Sequence, residues 1–459
     1  MRDILIAALL LAPVLTSAQG FDLERVTAGD LAAYAEKAGA PQATAEVPKE
    51  GLKDWTVMIF MNAHNNLDDS MLYGISGKWA QKDMAEMKKV GSTDKVDVLL
   101  EYGLSGQGAK RVVVTKGGET LVSADPKGDM GDYKRVIDFI KWAKAEHPAK
   151  RYMLVLWNHG LGWIDPVMHD AMDGSIPTGR GILFDDETKN YVRTRQLGEI
   201  LRQAGYVDVV VQNACLQQMA EILYEMKDNA GLFIGSEETM LAYGYDYTKL
   251  LNFLNTQPAA PLNQVGQFFI DWEKDFFAHG APIVGPVTIP LSAIAATMSA
   301  VNPKPLNDLP AYLDAFARAA MKNDEHEAAK YAIENAVRYS SLDPKNDKTK
   351  QIAPYVDLYD FAKTFSMVSG FETAQAAERL MKFIRKSLVM ASVGLNKDGV
   401  NGYDYTKSGG ISIGMTMKAK KLPPALGGIY ETHYSDLSLS QASQWDEFVE
   451  WCDKVWRPE

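Results

Sequence analysis

The stretch RYMLVLWNHGLGW, residues 151–163, is the clearest indication of the fold class of this chain. Its first part is apolar on both faces, and it ends by placing His159 in a loop with two glycines. A second stretch, VDVVVQNACL (207–216), has the same form and ends at Cys215. Strands that are apolar on both faces are typical of parallel sheets covered by helices on both sides. The two stretches therefore predict central strands of an α/β protein.

The same alternation extends to either side of these stretches. Further apolar runs are WTVMIFMN (55–62), VDVLLEY (96–102), RVVVTK (111–116) and GLFIGS (231–236), and amphipathic helical patterns cover 76–91, 132–147, 193–205 and 216–231. After residue 262 longer helical patterns dominate, with one strand-like stretch at 409–417. The sequence thus predicts an α/β/α sandwich over 55–261 and a largely helical, mixed region over 262–459 packed on it.

The first twenty residues, MRDILIAALLLAPVLTSAQG, have the features of a targeting segment. Arg2 precedes an apolar run, and small residues follow it at a cleavage site. This pattern predicts a signal peptide over 1–18, followed by a lead-in segment over 19–54. We therefore expect an exported protein, periplasmic or extracellular, with no membrane span after signal removal.

Charge and cysteine content narrow the function classes. The 459 residues carry a net charge of -11 and no basic stripe, which argues against a nucleic-acid partner. The two cysteines, Cys215 and Cys452, could form at most one disulfide. Cys452 lies within the helical pattern WDEFVEWCDKVW, which predicts a buried structural thiol. The sequence leaves the oligomeric state open.

The ends of the two central strands carry residues suited to nucleophilic catalysis. Ligands and chemistry gather at the carboxyl ends of parallel strands, so His159 and Cys215 are expected to meet there. A helix predicted to begin at Cys215 would lower the pKa of its thiol. The imidazole of His159 could accept the thiol proton, and the amides of Gly160 and Cys215 could stabilise an oxyanion.

Metal chemistry is one alternative at the same place. His159, Asp165, His169, Asp170 and Asp173 crowd together, but no fixed zinc-binding spacing is present. Calcium held by acids such as Asp185, Asp186 and Glu187 is a further possibility, although no EF-hand loop localises it. His64, in NAHNNLDD, is interpreted as a surface residue.

Eight blocks of the sequence resemble, in order, those of the clostripain-like cysteine peptidases. They include WTVMIFM, YMLVLWNHGLGW, NACLQQMAEILYEMKD and GLFIGSEET, and the resemblance covers nearly all of the chain from residue 55. It implies a caspase-like sheet, as in gingipains and legumains, and polypeptide substrates. By motif position it implies His159 as base and acid, Cys215 as nucleophile, and an oxyanion hole of the Gly160 and Cys215 amides. No cofactor would enter the chemistry, though some members depend on calcium.

One departure from the family pattern concerns substrate selection. Two residues before the cysteine, the family typically has an Asp that helps to bind Arg or Lys at P1, the residue before the scissile bond. This chain has Asn213 there, so a basic P1 preference is doubtful. The resemblance places Ser236, Glu237, Glu238 and Asp246 in the pocket wall, where one of the acids could supply the missing charge.

Two further hypotheses concern processing and function. Some family members cleave themselves between the catalytic blocks, and Arg180 in the polar segment 164–192 is a candidate site. The alternative function is a catalytically silent module that binds or inhibits peptides on the same fold. Labelling of Cys215 by a peptidyl thiol-reactive probe separates this module from an enzyme.

Overall fold

The computed structural model describes residues 51–68, 70–72, 75–165, 181–284, 287–339, 355–399, 402–415 and 433–456. Residues Leu52–Glu459 form one compact unit. The predicted signal peptide and Arg180 lie outside the described residues, as do His169, Asp170 and Asp173. None of the helices in the described part of the chain is long and apolar enough to cross a membrane.

A nine-stranded mixed sheet forms the centre of the molecule. Its strands are β1 (Lys53–Ala63), β4 (Val96–Leu104), β5 (Ala109–Thr115), β6 (Gly118–Asp125), β7 (Ala149–Trp157), β10 (Val209–Asn213), β11 (Phe233–Gly235), β14 (Ala296–Val301) and β17 (Val389–Leu395), in the order β17-β14-β11-β10-β7-β1-β4-β5-β6. The five strands from β11 to β4 are parallel, and the strands on both flanks are antiparallel. The predicted, mostly parallel sheet is confirmed.

Smaller sheets lie around this one. They are the pairs β2 (Ser70–Leu72) with β3 (Ile75–Gly77), β8 (Ile182–Asp185) with β9 (Asn190–Val192), and β12 (Ala281–Val284) with β13 (Val287–Ile289), and the triple β15 (Arg338–Tyr339), β16 (Tyr355–Asp357) and β18 (Ser412–Gly414). The triple sheet contacts the segment that follows β10 through a bridge between Met219 and Ser412. Part of the predicted strand at 409–417 is therefore β18, outside the central sheet.

Helices cover both faces of the central sheet. They are α1 (Trp79–Val90), α2 (Tyr133–Glu146), α3 (Thr194–Ala204), α4 (Ala220–Met226), α5 (Tyr247–Thr256), α6 (Leu262–His279), α7 (Leu309–Lys322), α8 (His326–Asn335), α9 (Leu358–Ser366), α10 (Phe371–Phe383), α11 (Ser438–Ala442) and α12 (Trp445–Trp456). Side chains of β1 alternate between two separate cores: Met58 and Phe60 join one, whereas Val57 and Ile59 join the other. This alternation explains why the run 55–62 is apolar throughout.

Two features differ from the sequence-based expectations. The helical pattern at 216–231 forms α4 and a short 3-10 helix at Lys227–Asn229, so the chain between Asn213 and Ala220 is a loop. In addition, β14 and β17 come from the region expected to be largely helical and extend the central sheet. The segments β14 and β17 are strands because β14 pairs antiparallel with β11 and with β17.

Candidate active site

His159 lies two residues beyond the end of β7 and is oriented by an asparagine. Its Nε2 is 2.7 Å from Oδ1 of Asn66, in the loop that follows β1. An amide oxygen only accepts hydrogen bonds, so Nε2 carries the ring proton and Nδ1 keeps a free electron pair. Burial lowers the pKa of His159 to about 4, because it penalises the charged imidazolium. The ring is therefore a neutral base.

The loop that carries Asn66 is held by buried polar side chains. Asn62 donates to the carbonyl oxygen of Leu183 at 2.8 Å, and Asn65 donates to that of Phe184 at 2.9 Å. His64 is 1% exposed, and its Nδ1 lies 2.8 Å from Oδ2 of Asp185. The expectation that His64 is a surface residue was therefore wrong. Its ring instead joins the β1 loop to β8.

Cys215 occupies the loop between β10 and α4. The main chain turns sharply after it, because Leu216 has a left-handed φ of 61°. Since α4 begins only at Ala220, the thiol does not lie at a helix N-terminus, and the prediction of a pKa lowered by the helix was wrong. Burial instead raises the pKa of Cys215 to about 11, and the nearby Glu238 adds to the rise.

Three backbone amides approach the sulfur of Cys215. The N–H of Met240 donates to Sγ at 3.2 Å. The N–H groups of Cys215 and Gly160 also stabilise the thiolate and partly offset the effect of burial on its pKa. The two amides expected to form an oxyanion hole therefore both lie near the nucleophile. The Met240 amide covers the sulfur from a third direction.

Gly160 brings the two strand ends into close contact. Trp157 pairs with Asn213 in the parallel register, so His159 and Cys215 each follow that pair by two residues. A Cβ atom at Gly160 would lie 3.2 Å from the carbonyl carbon of Cys215 and closer still to its oxygen. Both catalytic candidates therefore belong to one edge of the sheet. In the described structure the His159 ring bonds Asn66, and Cys215 Sγ contacts Met240.

The three acids proposed for the pocket wall each have other partners. Glu237 is buried beside Asp357, and burial together with that charge raises the pKa of Glu237 well above its usual value. The Glu238 carboxylate accepts hydrogen bonds from the Tyr405 hydroxyl and the Thr239 amide. Asp246 caps α5 by accepting from the Lys249 amide at 2.8 Å. None of the three presents a free carboxylate beside the cysteine.

Ser236 is also engaged. Its hydroxyl lies 2.9 Å from Thr297 Oγ1 and accepts from the Glu238 amide. These two contacts let the hydroxyl hold the turn after β11.

Asn213 lies next to a carboxylate supplied by another element. Its Nδ2 donates to the Tyr247 hydroxyl at 3.1 Å. Asp83 Oδ2 and Asn213 Nδ2 lie 3.1 and 2.9 Å, respectively, from the point where a Cβ atom of Gly244 would be. Asp83 is fully buried, bonds Trp157 Nε1 and Lys82, and has a pKa raised by burial to about 7. An amide at 213 avoids a second carboxylate here.

The acids considered as metal ligands also have protein partners. Asp185 accepts four hydrogen bonds, from His64 and from the amides of Met130, Glu187 and Thr188. Asp165 accepts from the Thr194 amide through both oxygens. Within the described residues, no group of three or more His, Cys, Asp or Glu side chains could hold a metal ion. Calcium dependence stays a prediction.

Two contributors to the site could not be identified from the sequence. Asn66 orients His159 from a loop 93 residues away, and Met240 reaches Cys215 from the segment after β11. The only signal for Asn66 was its place just after the first strand, where residues reach the same sheet edge. Met240 acts through its main chain, which leaves no signature in the residue type.

Comparisons with known proteins agree with this architecture. A sequence model of the Clostripain family matches residues 60–451. The chain is 23% identical over 282 residues to clostripain of Hathewaya histolytica; this match covers 51% of the chain and 52% of clostripain, so it spans about half the length of that relative.

Two solved structures have a similar fold. An inactive zymogen C11 protease of Parabacteroides distasonis is 17% identical with a TM-score of 0.55, over 88% of this chain and 99% of its own. A secreted C11 cysteine protease of Bacteroides thetaiotaomicron, in complex with an irreversible peptide inhibitor, is 18% identical with a TM-score of 0.55, over 87% and 98%. Because the family model matches most of the residues, from β1 to α12, the chain belongs to the clostripain family.

Proposed function

We propose that the protein is an exported cysteine endopeptidase that hydrolyses peptide bonds through Cys215 and His159. The observation that carries the proposal is the convergence of the β7 and β10 ends, where the Gly160 and Cys215 amides both approach the cysteine sulfur. Membership of the clostripain family supports the same reaction class. Export follows from the predicted signal peptide at 1–18, and the similar protease of Bacteroides thetaiotaomicron is a secreted protein.

The first step forms a thioester with the substrate. Nδ1 of His159 accepts the thiol proton of Cys215 as Sγ attacks the scissile carbonyl carbon. The Gly160 and Cys215 amides donate to the oxygen that becomes negative. The imidazolium then protonates the leaving amine, the C–N bond breaks, and the acyl group stays on Sγ. Asn66 Oδ1 holds the Nε2 proton throughout, which leaves Nδ1 as the nitrogen that accepts and donates the proton.

The second step releases the acyl group. Nδ1 of neutral His159 takes a proton from water, whose oxygen attacks the thioester carbonyl carbon. The C–S bond breaks, the proton returns to Sγ, and a carboxylic acid leaves. The raised pKa of Cys215 and the lowered pKa of His159 favour a neutral resting pair, so the proton moves only during attack.

The experiment uses three variants of the full chain and a mixed peptide substrate. Cys215→Ala and His159→Ala should each reduce hydrolysis to background, while Cys452→Ala retains most of it. Thermal unfolding of each variant shows whether the fold is intact. Turnover by folded Cys215→Ala would refute the proposal. A folded wild type that binds peptides without cleaving them would favour the silent binding module.

A further inference from the structure

A buried carboxyl group near Cys215 has no role in the proposed catalytic steps. Glu273, on α6, is only 6% exposed. Within the described residues its carboxyl has no hydrogen-bond or ion-pair partner, and burial raises its pKa to about 8. An isolated buried acid costs folding free energy, because its charged form loses hydration without gaining a partner. Such a group is suited to bind a cation that arrives from outside the chain.

Glu273 lines a small cavity whose wall includes the residue that contacts the nucleophile. The cavity measures about 40 Å³, and its wall includes Ser236, Met240, Gly244 and Thr297. The Met240 amide contacts Cys215 Sγ, and Gly244 lies against the Asn213 side chain. The cavity is therefore separated from the sulfur by the residue that covers it. It also borders the position where the resembled family has an acid.

The aromatic side of the cavity suits a long cationic side chain. Trp272 and Phe276 stack with ring centroids 5.5 Å apart, and both line the cavity. Aromatic faces attract ammonium and guanidinium groups and also cover an aliphatic stem. The other acids nearby are engaged by Asp357, Tyr405, the Lys249 amide and Lys82, as described above. Glu273 is the carboxyl group among them without a partner.

We propose that Glu273 binds the positively charged P1 side chain of the substrate and thereby replaces the acid that Asn213 lacks. This inference rests on the proposed peptidase function. Because the cavity holds only a few water molecules as it stands, a Lys or Arg side chain enters only if Met240 moves.

The test compares charged side chains at P1 with neutral ones that are no larger. Two ratios of kcat/KM are measured, arginine over citrulline and lysine over norleucine, in matched peptides. The wild type should favour the cation, and Glu273→Gln should lower both ratios by about 10- to 100-fold, as expected for loss of a charge-assisted hydrogen bond. Asp271→Asn, which removes an exposed acid from the same helix, should leave both ratios unchanged.

Each outcome decides the inference. Equal ratios in wild type and Glu273→Gln, or no preference for the cation in wild type, would overturn it. If Glu273→Gln does not fold, Glu273→Met serves as a second variant, because its apolar side chain of similar length suits the cavity. If the proposed function itself fails, wild type cleaves no peptide; if only this inference fails, cleavage persists with ratios insensitive to residue 273.

Discussion

Replacing Gly160 with alanine should disable the site by pushing the two strand ends apart. The added Cβ would lie 2.7 Å from Gln217 Nε2 and 3.2 Å from the carbonyl carbon of Cys215, whereas carbon atoms prefer separations of about 3.5–4.0 Å. The Cβ of alanine would contact backbone atoms of Cys215, so the loops that carry residues 160 and 215 must shift. A displacement of about 1 Å can cost about 10²-fold in rate, and loss of one oxyanion donor costs about 10²–10³-fold in kcat.

The assay is peptide hydrolysis with thermal unfolding in parallel. Gly160→Ala should lose at least about 10²-fold in kcat, while overpacking lowers stability by about 1–3 kcal/mol. Gly118→Ala is the matched control, because its Cβ would meet only Thr115 Oγ1, at 3.6 Å. A folded Gly160→Ala variant with wild-type kcat would show that close packing at Gly160 does not position the site.

Three other substitutions give separate tests. Asn66→Ala should lower kcat by about 10- to 100-fold with little change in KM, because His159 loses the acceptor that fixes its tautomer. In wild type, kcat/KM should rise with pH through the lowered pKa of His159, about 4. A rise centred above pH 6.5 would contradict the assignment of a buried, neutral His159 as the base. The pKa of Glu273 is about 8 in the folded protein and 4.5 in the unfolded chain. The unfolded chain therefore loses this proton at lower pH, and the free energy of unfolding falls as pH rises from 4.5 to 8. Glu273→Gln should therefore gain stability over wild type, by up to about 4 kcal/mol at pH 8 and by little at pH 4.5, in denaturant unfolding. Asn213→Asp should destabilise the fold at pH 8 more than at pH 5, because its carboxylate would face Asp83, and equal unfolding midpoints would contradict that contact.

The central strands could be predicted because their runs are apolar on both faces, as is typical of strands covered by helices on both sides. Residues 151–158 and 207–214 became β7 and β10 with small differences at their ends. In contrast, ATMSAV at β14 is rich in small residues, and the helical periodicity of 374–392 runs past the end of α10 into β17. The partners that make these segments strands lie far away in the sequence.

The candidate site was predictable only where it follows from strand ends. His159, Gly160 and Cys215 meet because parallel strands deliver them to one edge. The acids could not be assigned, because their partners, such as Asp357 and Tyr405, are more than 100 residues away. Glu273 looks like any acid in an amphipathic helix, and only the packing of α6 shows that it is buried and has no partner among the described residues.

The role of Cys215 as nucleophile and His159 as base is best tested by the reactivity of the two cysteines. The folded wild type is incubated with an irreversible peptidyl probe for thiols, and the modified residue is located by mass spectrometry. We expect an adduct on Cys215 alone, formed much more slowly in His159→Ala, and none on Cys452, which is 1% exposed. An adduct on Cys452 with Cys215 unmodified, or equal rates with and without His159, would contradict the account.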